Sequence, residues 1–90
     1  MFKSKYIIID TGIVVGPIVF SEVLGHDEIA SAIVQGGNFE EVKQAVLGAG
    51  FCYIQNNRYV CYGESRSLRV KSRGEEDAAF LNRYLGVDQA

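Results

Sequence analysis

Apolar residues change their spacing along the chain, and the spacing predicts the elements. Lys5–Ile9 (KYIII) is a continuous β-branched run and predicts a strand. Asp10-Thr11-Gly12 interrupts it, and Ile13–Phe20 resumes the apolar pattern with Gly16-Pro17 inside. Proline has no N–H to give a ladder, so the second strand is bent, bulged or at an edge near Pro17. From Ser21 to Val34 the period becomes helical. Gly25-His26-Asp27-Glu28 is the start, its acids complementing the helix dipole, and Ile29/Ile33 and Ala30/Val34 follow at i,i+4. Gly36-Gly37 is the stop. Asn38 with Glu41 three residues on predicts a capping box. Behind it Phe39, Val42, Ala45 and Val46 form a buried stripe, with Gly48 as C-cap. The same pattern admits Ala45–Ile54 as one long strand kinked at Gly48 or Gly50, so residues 39–47 stay open between helix and strand.

The next stretch predicts its own register. Phe51–Ile54 and Tyr59–Tyr62 flank Asn56-Asn57, a pair that tolerates the positive φ of a type I′ turn. That turn sets Gln55 opposite Arg58, Ile54 opposite Tyr59, Tyr53 opposite Val60 and Cys52 opposite Cys61. Alternation then puts Cys52, Ile54, Tyr59 and Cys61 on one side, with Phe51, Tyr53, Val60 and Tyr62 on the other. Neither side is polar. The hairpin is therefore either covered on both faces or presents a tyrosine-rich surface. Cys52 and Cys61 fall on a non-hydrogen-bonded pair, where side chains approach most closely, so a cross-strand disulfide is geometrically open. Two cysteines without a secretory leader make reduced core thiols the favoured state.

Beyond Gly63, Glu64–Arg73 alternates again and predicts a strand with Leu68 and Val70 on one face and Arg69, Lys71 and Arg73 on the other. Arg58, Arg66, Arg69, Lys71 and Arg73 against Glu64 leave a local surplus of four positive charges, on a chain whose net charge is −2. A basic stripe beside tyrosines suits single-stranded nucleic acid, through stacking and phosphate attraction. It equally suits an edge strand that uses charge to discourage pairing, and the acids Glu75, Glu76 and Asp77 that follow favour this second reading. Ser72 and Glu75 predict another capping box. The helix it opens has Ala78, Leu81 and Leu85 on one face, Phe80 and Tyr84 beside it and Gly86 as its stop.

Composition narrows the remaining chemistry. Ninety residues, nearly half of them hydrophobic, make one ordered domain. Asp10, Gly12 and Pro17 break the longest apolar region well short of the ~20 residues of a membrane span. A cytoplasmic setting without membrane attachment is expected. Two cysteines and one distant histidine lack metal-ligand spacing, and Gly48-Ala49-Gly50 lacks the spacing of a phosphate-cradling loop. No metal, cofactor or catalytic residue is assigned. Asp10-Thr11-Gly12 is the triplet that retroviral-type aspartic proteases bring together in a dimer. Here no glycine-rich flap accompanies it, and Asp-x-Gly is also ordinary turn chemistry. His26, at the helix entrance, reads as a capping or surface group.

Cys61–Arg73 (CYGESRSLRVKSR), followed by an acidic helix, resembles a motif of small uncharacterised proteins encoded by phages and prophages. Tyr62-Gly63-Glu64-Ser65-x-Ser67-Leu68 carries most of the likeness. Lys5–Gly12 (KYIIIDTG), Pro17–His26 (PIVFSEVLGH) and Ala49–Phe51 (AGF) extend it over most of the chain, loosely between Ile33 and Val46. The resemblance implies an accessory or host-interaction factor that acts through a surface rather than an active site. It implies a helix starting at Gly74, where relatives often carry proline, and a strand running into Ala49–Phe51.

The expected fold is α+β: an antiparallel sheet of four to five strands, with two or three helices packed mainly on one face. The expected function is a non-catalytic protein-interaction module whose partner is another protein or a second copy. Single-stranded nucleic-acid binding is the alternative, and an aspartic protease the remote one. The candidate binding residues are Tyr53, Tyr62, Glu64, Ser65, Ser67, Arg69, Lys71 and Arg73.

Overall fold

Four consecutive residues, Tyr6, Ile7, Ile8 and Ile9, are all buried, which a strand achieves only when both faces of its sheet are covered. They belong to β1 (Ser4–Asp10), one of the two inner strands in a computed structural model that describes residues 3–34 and 37–86. β2 (Val15–Phe20) pairs antiparallel on one side of β1, and β3 (Val46–Gln55) on the other. β4 (Arg58–Tyr62) completes a sheet of order β2-β1-β3-β4. Pro17 lies on an outer strand, opposite Ile8, where its missing N–H costs no ladder bond.

The helices divide between the two faces. α1 (His26–Val34) and α2 (Phe39–Ala45) lie on one, where Ala30 and Val42 pack with Ile7, Ile9, Val46, Ala49 and Leu68. α3 (Glu75–Leu85) covers the other, where Leu81 packs with Tyr6, Ile8, Cys52 and Cys61. Two of three helices thus share a face, and the last packs against the hairpin from behind. Burying Leu81 contributes about 2 kcal/mol.

Both readings of residues 39–55 hold in part. Asn38 Oδ1 accepts the Glu41 N–H at 2.9 Å and opens α2. The helix ends at Ala45, and Val46 begins β3 with no intervening loop. Phe39 is exposed instead of joining the buried stripe, because a seven-residue helix presents only Val42 squarely to the sheet. Gly48 is no C-cap. It lies within β3, where a β-carbon would collide with the Asp77 carboxylate. Between Ile8/Gly48 and Ile9/Val46 the register shifts by one residue, leaving Leu47 out of the ladder as a bulge. The shift brings Val46 and Ala49, three apart in sequence, onto the same face.

The Asn-Asn hairpin has its predicted register, with Gln55↔Arg58, Ile54↔Tyr59, Tyr53↔Val60 and Cys52↔Cys61 paired. Asn56 and Asn57 take φ of 54° and 63°, the left-handed pair a type I′ turn needs. Cys52 and Cys61 are buried free thiols.

Glu64–Arg73 is not one strand. β5 (Glu64–Ser65) and β6 (Val70–Lys71) form a separate two-stranded ribbon. Ser65 Oγ accepts the Leu68 N–H at 3.1 Å, and Arg69 turns to φ 58°. This reversal drives Leu68 fully into the core, a burial that outweighs the local alternation. The Ser72/Glu75 capping box is also absent. Gly74 takes the N-cap at φ 64° without a side-chain cap, and Ser72 Oγ accepts the Gly74 N–H at 3.0 Å. Asp77, two residues after Glu75, is the acid that reaches back, accepting the Arg73 N–H at 2.9 Å. At the far end Leu85 and Tyr84 are exposed, and Gly86 has φ −53°, outside the left-handed form of a glycine stop. Of the Gly36-Gly37 stop after α1, Gly36 lies outside the described residues.

Candidate functional site

The side of the hairpin carrying Phe51, Tyr53, Val60 and Tyr62 is an aromatic surface, distinct from the Phe80–Tyr84 pair on α3. Phe51, Tyr53 and Val60 are half-buried, and Tyr62 is 42% exposed. Their rings continue a chain that begins in the interior. Phe20 meets His26 edge-on at 5.5 Å, His26 meets Phe51 at 6.2 Å, Phe51 stacks on Tyr62 at 5.8 Å, and Tyr62 meets Tyr53 at 5.8 Å. Offset and edge-on contacts of this kind add about 0.5–1.5 kcal/mol each to area burial. The outer rings are therefore held in place by their neighbours.

His26 anchors this chain. It is buried, contrary to its expected surface role, because it is the first residue of α1 and that end of the helix lies against β3. Its Nε2 is 2.9 Å from the Gly50 carbonyl oxygen. Burial lowers its pKa below the usual 6.5, and nearby Lys5 acts in the same direction. The Gly50 carbonyl and Asp27 oppose the shift without reversing it. Neutral His26 donates from Nε2 to that carbonyl and tethers α1 beneath Phe51.

A cleft of about 470 Å³ opens beside Phe51. The start of α1 forms one wall with Gly25, His26 and Asp27, and the β5 turn forms the other with Glu64, Arg66 and Ser67. Lys5 lies on the floor and donates to the Leu24 carbonyl at 2.9 Å. Lys3 Nζ sits 4.7 Å from the Phe51 ring centre and 3.9 Å from Glu22. Around the rings, Lys3, Lys5, Arg66 and Lys71 face Glu22, Asp27 and Glu64, so the rim is polar and of mixed charge.

Tyr53, Tyr62, Glu64 and Ser67 from the sequence reading come together here. Ser65, Arg69 and Arg73 do not, and Lys71 reaches its edge only as the cross-strand neighbour of Glu64. Ser65 is fully buried and spends its hydroxyl on the turn. Arg69 is exposed at the end of that turn, and Lys71 stands opposite Glu64 in the ribbon. Arg73 is committed elsewhere, its Nε 2.6 Å from Asp77 Oδ1 and its Nη1 2.8 Å from Glu76. Arg58 lies beside the Asn-Asn turn. The continuous basic strand expected for phosphate binding is dispersed. Lys3, Lys5, His26 and Asp27 join the site although sequence spacing gave no signal for them. Pairing of β1 with β3, Lys5 against Phe51, brings the lysines to it, and the packing of α1 against β3 brings His26 and Asp27.

Two other groups with chemical potential are already satisfied. Asp77, fully buried, accepts from the Tyr6 hydroxyl at 2.5 Å and twice from Arg73, while Tyr6 also reaches Ser72 Oγ at 2.7 Å. This network ties α3 to β1. Asp10 Oδ1 accepts the Gly12 N–H at 2.8 Å in an exposed turn, with Gly12 at φ 89°. Burial pushes the thiols of Cys52 and Cys61 up to about 11 and about 12, so both are poor nucleophiles near neutrality. Among the described residues no three His, Cys, Asp or Glu side chains could hold a metal ion, and no helix is long and apolar enough to cross a membrane. No family model, curated protein or solved structure matches the chain.

Proposed function

We propose that this chain is a non-catalytic protein-binding module that uses the aromatic side of its central hairpin. The observation that carries the reading is a preordered set of half-exposed rings, Phe51, Tyr53 and Tyr62, inside a polar rim of mixed charge. Aromatic centres with polar rims characterise protein interfaces. Binding to a phosphate backbone calls for a surplus of positive charge instead. The accessory or host-interaction role implied by the resemblance to phage and prophage proteins belongs to the same proposal. So does a cytoplasmic setting, which the two unbonded thiols support.

The test is photo-cross-linking in cells with p-benzoylphenylalanine in place of Tyr62, and at Arg83 as a control on α3. Protein adducts at position 62 that are absent at position 83 support the proposal. An adduct at twice the chain's mass identifies the partner as a second copy. Nuclease-sensitive adducts would transfer the assignment to nucleic acid, and equal adducts at both positions would refute it.

A further inference from the structure

The outer edge of β4 carries one unmet demand. In an antiparallel ladder alternate residues of an edge strand turn their N–H and C=O outward. Arg58, Val60 and Tyr62 pair inward with Gln55, Tyr53 and Phe51, which leaves Tyr59, Cys61 and Gly63 facing out. Tyr59 is satisfied by a side chain that imitates a strand: its N–H donates to Asn82 Oδ1 at 2.7 Å, and Asn82 Nδ2 donates to its carbonyl at 3.4 Å. The Gly63 carbonyl accepts the Ser72 N–H at 2.9 Å. Between them, the main-chain N–H and C=O of Cys61 have no partner among the described residues, although Cys61 is only 7% exposed. Buried main-chain groups are almost always paired.

The space beside that residue is shaped for a chain. A groove of about 360 Å³ separates β4 from α3, and the helix lines it with Gly74, Ala78 and Ala79, residues too small to fill it. Arg58 flanks the groove near the hairpin turn, and Glu75 flanks it at the start of α3. Asn82 at Tyr59 and Ser72 at Gly63 close the edge on either side, so a segment entering the groove meets the β4 main chain at Cys61 alone.

We infer that this groove receives an extended segment of a partner protein, one residue of which pairs its N–H and C=O with those of Cys61. The segment carries an acidic residue toward Arg58 and a basic one toward Glu75. This contact is independent of the aromatic face, which lies on the opposite side of the sheet.

The test reads backbone amides of the full chain, labelled with ¹⁵N. In the free protein the Cys61 amide exchanges with solvent at least about ten-fold faster than the inward-bonded Val60 and Tyr62 amides. Exchange as slow as theirs means the group is already paired and overturns the inference. Protection that grows with protein concentration places a second copy at the edge and overturns it equally. The probe is a pool of capped pentapeptides with alanine at the centre and randomised flanks. It is expected to shift the Cys61 resonance, while a pool with N-methylalanine at the centre leaves that resonance in place. An unmoved Cys61 at millimolar peptide or equal shifts from the N-methylated pool would each refute the proposal.

Discussion

Replacing Asp77 with alanine tests what fastens α3 to the sheet. The carboxylate is fully buried and receives the Tyr6 hydroxyl, the Arg73 N–H and the Arg73 guanidinium. Removing one partner of a buried, hydrogen-bonded pair typically costs about 3–5 kcal/mol. The low end applies here, because the Arg73 side chain is 31% exposed and keeps Glu76, and Tyr6 keeps Ser72. The expected loss is therefore about 3 kcal/mol, a large part of the roughly 5–13 kcal/mol that stabilises a domain of this length. Asp77→Asn preserves the volume. With its amide oxygen at the Oδ2 position it still accepts from Tyr6 and the Arg73 N–H and loses only the bond from Arg73 Nε, so it should cost about 1–2 kcal/mol. Urea unfolding followed by circular dichroism measures both. Asp77→Ala within about 0.5 kcal/mol of the parent, or Asp77→Asn as costly as Asp77→Ala, would refute the reasoning.

Other perturbations follow from the same contacts. Gly48→Ala forces a methyl group into the Asp77 carboxylate from the β3 side, and should destabilise by about 2–3 kcal/mol in the same urea assay. Because burial lowers the pKa of His26 in the folded chain, the unfolded chain binds more protons below pH 6.5. Its contribution to stability is complete above that pH and lost as pH falls through the folded value. His26→Gln should flatten this part of the stability–pH curve, and an unchanged slope would contradict the assignment. Cys52 and Cys61 titrate near 11 and 12 when folded. Native thiols should therefore resist a disulfide reagent at pH 8 until urea is added, and prompt reaction would contradict their burial. Asn57→Val places a β-branched residue at φ 63° and should cost about 1–2 kcal/mol, whereas Asn57→Gly should be neutral or stabilising.

What the sequence disclosed was mostly local. Asn56-Asn57 specifies a turn whose chemistry sets every pair in the hairpin, and Asn38 with Glu41 specifies a helix start within one turn. Pro17 limits the second strand to one that is bent, bulged or outer, and it is outer. The misread features depend on residues far apart. Glu75 loses its capping role because Asp77 finds Tyr6, a partner 71 positions away, and Gly74 can adopt the positive φ this requires. Arg73 looked available for a ligand until the same carboxylate claimed it. Leu68 outweighed an alternating strand pattern because complete burial is worth more than two additional ladder bonds. The proposed binding face was half legible. Its tyrosines follow from the hairpin register, but the lysines and His26 reach them only through the β1–β3 pairing and the packing of α1.

Tyrosine footprinting provides the most direct test of the aromatic face, since the molecule supplies its own control. Tyr62 and Tyr84 are 42% and 53% exposed and lie on opposite sides of the sheet. Hydroxyl-radical labelling of the chain inside cells should be compared with labelling of the purified chain. A partner on the hairpin face predicts that labelling of Tyr62 and Tyr53 falls several-fold while Tyr84 is unchanged. Equal labelling of Tyr62 and Tyr84 in both settings would contradict the account.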